Sequence, residues 1–120
     1  APLLEDTFNQ FHSKTGHFIL ERDGMTETNI ICSNPIKGKR KAGTVGLPLK
    51  DQKLKIVDDN FNNLDEGEIG NIQVSGPNVF KRYWNLPDKT REDFSDDNFF
   101  IVTLKNVNTK LRLHFCYRVA

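Results

Sequence analysis

Three consecutive residues, Thr26, Glu27 and Thr28, carry the oxygens best suited to chemistry in this chain of 120 residues. They follow Gly24 and Met25 and come shortly after an apolar run, Phe18-Ile19-Leu20. Threonine hydroxyls donate hydrogen bonds to phosphate-like oxygens. The Glu27 carboxylate is a hard ligand of the kind Mg²⁺ takes. That ion holds one or two protein carboxylates and completes its shell with substrate phosphates and water. The apolar run would supply a strand end, which is where open α/β sheets carry ligand groups. Gly24 would permit the turn between strand and hydroxyls. On residue types and spacing alone, the stretch also reads as an ordinary polar turn closing a strand.

The elements that must position these residues can be read from periodicity. Leu4, Phe8 and Phe11 recur on one helical face, which predicts an amphipathic helix from residue 3 to about 15 with that face toward the core. Glu5 and Asp6 at its start and Lys14 at its end suit the helix dipole, and Gly16 suits the C-terminal cap. His17 to Glu21 then reads as a strand, and residues 29 to 42 read as a loop punctuated by Asn34-Pro35 and Gly38. The alternation in Lys53 to Asp58 predicts a half-buried strand, and Glu68 to Val74 a second one, paired with the first. Phe80, Tyr83 and Trp84 suggest a short helical segment belonging to a satellite core. Pro87 can start a helical turn running to about Phe94, and Phe99 to Leu104 reads as a strand. Leu111 to Val119 has a weaker strand pattern.

Composition narrows the classes. The length fits one domain, and an apolar content of 37% implies a modest core. No apolar run approaches the roughly 18 residues of a membrane span, so no membrane partner is expected. Cys32 and Cys116 form no Cys-x-x-Cys pair, which favours a reduced, cytoplasmic protein over a disulfide scaffold. His12, His17 and His114 lack metal-ligand spacing. Gly38 to Gly43 has the spacing of a phosphate loop, but Thr44-Val45 replaces the Lys-Ser/Thr that would complete one. The basic cluster Lys37, Lys39, Arg40 and Lys41 could meet phosphates, although a solvated loop beside an anionic substrate is the more ordinary reading. Nucleic acid is not an expected partner. Residues 101–120 contain Lys105, Lys110, Arg112 and Arg118 and no acid, whereas the first hundred residues carry a net charge of −3.

Glu21-Arg22-Asp23-Gly24-Met25-Thr26-Glu27-Thr28-Asn29 resembles the Tyr-Gly-Met-Thr-Glu-Thr signature of the adenylate-forming enzymes, the acyl-CoA synthetase and AMP-dependent ligase superfamily. The further blocks follow in the family's order: Gly43-Thr44-Val45-Gly46-Leu47-Pro48-Leu49, Leu64-Asp65-Glu66-Gly67-Glu68-Ile69-Gly70, Val74-Ser75-Gly76-Pro77-Asn78-Val79-Phe80, Tyr83-Trp84-Asn85, and Asp96-Asp97-Asn98-Phe99-Phe100. Within that superfamily the chain is most similar to malonyl-CoA synthetases. The resemblance covers about residues 1–101 and leaves 102–120 as an unrelated basic tail, whose sequence could arise from translation out of frame.

The resemblance implies an α+β fold: part of the N-terminal domain of an adenylate-forming enzyme, with an amphipathic helix, sheet strands and a small β-barrel-like subdomain. It implies an ATP-dependent acid–thiol ligase that adenylates a malonate-like carboxylic acid and passes the acyl group to CoA, with ATP, Mg²⁺ and CoA as cofactors. Asp23, Gly24, Met25, Thr26 and Glu27 match the family's nucleotide-binding stretch, and Glu27 its Mg²⁺-holding carboxylate. Two departures stand out. Asp23 occupies a position where the family has an aromatic that packs on adenine. Val102-Thr103-Leu104 replaces a Thr-Gly-Asp whose aspartate grips the ribose. The family's phosphate loop would precede Ala1, and its hinge and catalytic lysine would follow Ala120. The chain alone is therefore expected to be inactive, with no catalytic residue of its own. The alternative is a non-catalytic truncated paralogue, acting as a weak nucleotide-binding or interaction module. Arg40 is a candidate counter-charge for an acidic substrate.

Overall fold

The computed structural model describes residues 3–65, 68–102 and 111–112. Helix α1 (Glu5–Thr15) forms where the acidic start, the basic end and the 3.6-residue spacing agree, and Gly16 closes it in the left-handed conformation at φ 72°. Its apolar stripe is less buried than expected. Phe8 is buried, but Leu4 and Phe11 stay exposed, because no described element packs over their side of the helix. Phe18 lies against Phe8 at 5.8 Å between ring centroids and stacks on His12 at 3.6 Å.

The strand expected over His17–Glu21 begins later. Residues 17–20 run without a ladder partner among the described residues, the Glu21 carbonyl accepts from the Asn34 N–H at 3.0 Å, and Phe18 is exposed. The first ladder is β1 (Arg22–Met25) against β2 (Asn29–Ser33), antiparallel, with a bulge between Asp23 and Gly24. Strand β2 falls where a loop was expected. Its apolar centre, Ile30-Ile31-Cys32, is too short to stand out by periodicity, but it buries Ile31 and Cys32 completely or nearly so. A short β3 (Leu47–Pro48) completes this sheet in the order β1-β2-β3. Arg40 is drawn into the loop before it. Its guanidinium donates to the carbonyls of Pro35, Ile36 and Phe18 at 3.0, 2.9 and 2.5 Å. The side chain thus closes the loop rather than standing ready as a counter-charge.

The second sheet follows the alternating pattern closely. Strand β4 (Lys53–Val57) pairs antiparallel with β5 (Ile69–Ser75), with Ile56 opposite Ile72 and Leu54 opposite Val74. After α2 (Pro87–Glu92), β6 (Phe100–Ile101) adds to β5. Strand β7 (Leu111–Arg112) also pairs with β5. The remainder of the expected strands, Thr103-Leu104 and 113–119, lies outside the described residues. The segment around Phe80, Tyr83 and Trp84 is not helical, since Gly76 and Pro77 open a turn and Pro87 delays the next helix. Phe80 joins the core as expected, whereas Trp84 is 83% exposed.

One core joins both sheets: Ile31 and Cys32 from the first, Leu54, Ile56, Ile72, Val74 and Phe100 from the second, and Val102 beyond β6. Met25, Val79, Phe80 and Phe94 pack against it. Burying each such large apolar side chain contributes roughly 1.5–3 kcal/mol. Both sheets stay open among the described residues, so the barrel-like subdomain does not close within them.

Candidate functional site

The Thr26-Glu27-Thr28 stretch is the turn of the β1–β2 hairpin. Its left-handed residue is Asn29, at φ 52°, a conformation asparagine tolerates better than most. Gly24 serves a different purpose from the expected one. It lies within β1, and a Cβ there would stand 1.8 Å from the Asn29 carbonyl oxygen. Glycine is therefore required by the close approach of the two strands at the bulge.

Each candidate residue takes a distinct environment. Asp23 is half-buried opposite Cys32 in the ladder. Met25 is half-buried and anchors the hairpin in the core. Thr26 is exposed at the start of the turn, and Glu27 beside it is half-buried. Thr28 is fully buried, with its hydroxyl accepting from the Met25 N–H at 3.3 Å and its own N–H donating to the Met25 carbonyl at 3.1 Å. Thr28 thus closes the turn from inside, which leaves Thr26 as the hydroxyl available to a ligand.

A second segment grips this turn, and it was not legible as part of the site. Asn78 donates through Nδ2 to the carbonyls of Thr28 and, at 3.0 Å, Ile30. The Phe80 N–H donates to the Glu27 carbonyl at 2.7 Å. The Tyr83 hydroxyl donates to Glu27 Oε1 at 3.1 Å. Burial, the Glu27 contact and the nearby Asp93 carboxylate push the Tyr83 phenol above its ordinary range, so it stays protonated as a donor. Asn78, Phe80 and Tyr83 sit in blocks already noted as family-like. That recurrence was the one sequence signal for them, because contacts across about fifty positions leave no periodic trace.

Chemically, the turn offers a partly accessible carboxylate with an adjacent hydroxyl, carried on a hairpin fixed to the core. Among the described residues no group of three or more His, Cys, Asp or Glu side chains could form a dedicated metal cage. A single hard carboxylate beside a hydroxyl fits an ion that draws most of its ligands from a bound phosphate and water, as Mg²⁺ does. Among the described residues no helix is long and apolar enough to cross a membrane.

This hairpin and its clamp belong to a recognisable class. The model of the AMP-binding enzyme family matches residues 1–84, and the chain belongs to that family. The relatives narrow the likeness. The chain is 48% identical to a malonate–CoA ligase of Arabidopsis thaliana over 100 residues, covering 83% of this chain and 16% of that protein. It superposes on the crystal structure of ATP-bound MatB from Rhodopseudomonas palustris with a TM-score of 0.81 and 51% identity, over 84% of this chain and 20% of the other. A malonyl-CoA ligase in a ternary product complex with methylmalonyl-CoA and AMP matches with a TM-score of 0.74 and 40% identity, over 84% of this chain and 22% of the other. The chain spans between 15% and 20% of the length of the first curated relatives it matches.

Proposed function

We propose that this chain is one wall of the nucleotide site of an ATP-dependent acid–thiol ligase of the malonyl-CoA synthetase type. The whole enzyme would adenylate a malonate-like acid, release pyrophosphate and transfer the acyl group to CoA. The observation that carries this reading is the Glu27 carboxylate, held on a core-anchored hairpin turn beside the exposed Thr26 hydroxyl. In this reading residues 1–101 are a piece of the adenylation domain, 102–120 are a basic tail foreign to it, and the sheet of β4, β5 and β6 is one side of the barrel-like subdomain. The protein would work in the cytoplasm, consistent with the reduced cysteine pattern.

The residues divide the work by position. Gly24 lets the backbone pass close to its partner strand and would thereby set the turn against the nucleotide. Thr26 would donate to a phosphate oxygen, while Asp23 and Met25 would line the nucleotide beside it. Glu27 would hold Mg²⁺, which when bound neutralises the phosphate charge that builds during adenylyl transfer. Fixed donors and charges of this kind act without reorganising during the reaction. On this reading the isolated chain binds nucleotide but does not complete the reaction.

Titrating the chain with ATP, with and without Mg²⁺, tests the site. Mg²⁺ is expected to tighten ATP binding, and Glu27→Gln to remove at least tenfold of that gain. Equal Mg²⁺ dependence in both proteins would end the assignment of Glu27. Binding of no nucleotide by a chain with a folded spectrum would favour the non-catalytic module instead.

Asp23 is the observation that keeps that second reading in view. It places a carboxylate where an aromatic would stack on the base. Stacking is worth roughly 1–3 kcal/mol per base, so Asp23→Tyr is expected to tighten ATP binding by about 5- to 150-fold. Calorimetry on the two proteins decides it, and an unchanged Kd would mean that position 23 does not meet the base.

A further inference from the structure

The clamp on Glu27 is more specific than packing requires. Residues 80 and 83 hold its backbone and its side chain separately, through the Phe80 N–H and the Tyr83 hydroxyl. Tyr83 is itself fixed. Its N–H donates to Thr90 Oγ1 at 3.0 Å, and its ring meets Phe80 edge-on at 4.6 Å. Phe80 in turn meets the buried ring of Phe100 at 5.2 Å. Among the described residues no hydrogen bond reaches the second carboxylate oxygen of Glu27, Oε2. A glutamate left to itself samples many rotamers, and each must be given up when it takes a ligand. A phenol held at its backbone by Thr90 and at its ring by Phe80 removes that freedom beforehand.

We infer that Tyr83 is a positioning residue: it holds Oε1 of Glu27 and so leaves Oε2 to serve the phosphate-bound metal. The inference rests on the reading of Glu27 as the Mg²⁺-side carboxylate. Partners that orient a metal ligand typically cost 10- to 100-fold in metal affinity when removed. A hydrogen bond that served folding alone would alter stability and leave metal dependence untouched.

The test is a double-mutant cycle on the 120-residue chain, Tyr83→Phe with Glu27→Gln, titrated with Mg²⁺–ATP and with ATP in EDTA. Tyr83→Phe is expected to weaken Mg²⁺–ATP binding by roughly tenfold, leave ATP in EDTA unchanged and cost nothing further in the Glu27→Gln background. If Glu27→Gln has no effect on Mg²⁺–ATP, the reading of Glu27 fails and carries the inference with it. If Glu27→Gln weakens binding but Tyr83→Phe does not, or weakens ATP equally without metal, Tyr83 does not position the carboxylate. Should Tyr83→Phe fail to fold, Thr90→Val, which removes the acceptor of the Tyr83 N–H, takes its place in the same titrations. Thr90→Val should weaken Mg²⁺–ATP binding and leave ATP in EDTA unchanged, and an effect on neither, or on both alike, would overturn the inference.

Discussion

Phe100→Ala is expected to destabilise the chain by about 3–5 kcal/mol, a large share of the 5–15 kcal/mol that holds an ordinary domain together. The ring is 2% exposed on β6 and meets Phe80 at 5.2 Å and Phe94 at 5.6 Å. Truncation removes its transfer energy and leaves a cavity that three separate elements would have to collapse to fill. The consequence reaches the site, because Phe80 lies between Phe100 and the Tyr83–Glu27 contact. Urea denaturation of the purified chain checks it. Trp84→Ala removes a larger ring that is 83% exposed, and should shift stability by less than about 0.5 kcal/mol. Comparable losses from both substitutions would mean that the aromatic cluster is not the centre of the fold.

How much of this was legible in the sequence depended on the range of the interaction. Helix α1, its Gly16 cap, the β4–β5 pair and the Pro87 start of α2 all follow from local spacing or from one residue's backbone preference. The errors share another cause. Leu4, Phe11 and Phe18 have apolar side chains that the pattern assigns to a core, yet burial requires a neighbour that local sequence cannot supply. Strand β2 is recognised as a strand only through its partners β1 and β3. In the candidate site, residue type and a short signature single out Glu27 and Thr26. Residue type gives Thr28 an outward role, but its hydroxyl is consumed inside the turn. Tyr83 reads as packing, because nothing near it in sequence reveals the carboxylate it meets 56 positions away.

Gly24→Ala is the second large effect, and its size separates two explanations of why glycine stands there. If glycine only supplied backbone freedom, alanine would cost about 1–2 kcal/mol, the usual penalty for a left-handed residue. Gly16, at φ 72° with open space around it, is such a position. Gly24 is not left-handed, and the Cβ of alanine would lie 1.8 Å from the Asn29 carbonyl oxygen and 2.9 Å from Ile30 Cα. These are backbone atoms of the partner strand, so no side-chain rotation relieves the overlap. The strands must separate, and the carbonyls of Thr28 and Ile30 then move away from Asn78, while Glu27 moves away from Phe80 and Tyr83. Gly24→Ala should therefore cost on the order of 4 kcal/mol or more, and whatever remains folded should lose Mg²⁺-dependent ATP binding. Gly16→Ala should stay near the conformational penalty and bind as the parent does. Denaturation curves for the two variants, followed by ATP titration, make the comparison. Equal losses would show that the hairpin tolerates a side chain at position 24. The tight bulge would then not be what fixes the Thr26-Glu27 turn, and its geometry would have to come from the Asn78–Tyr83 clamp alone.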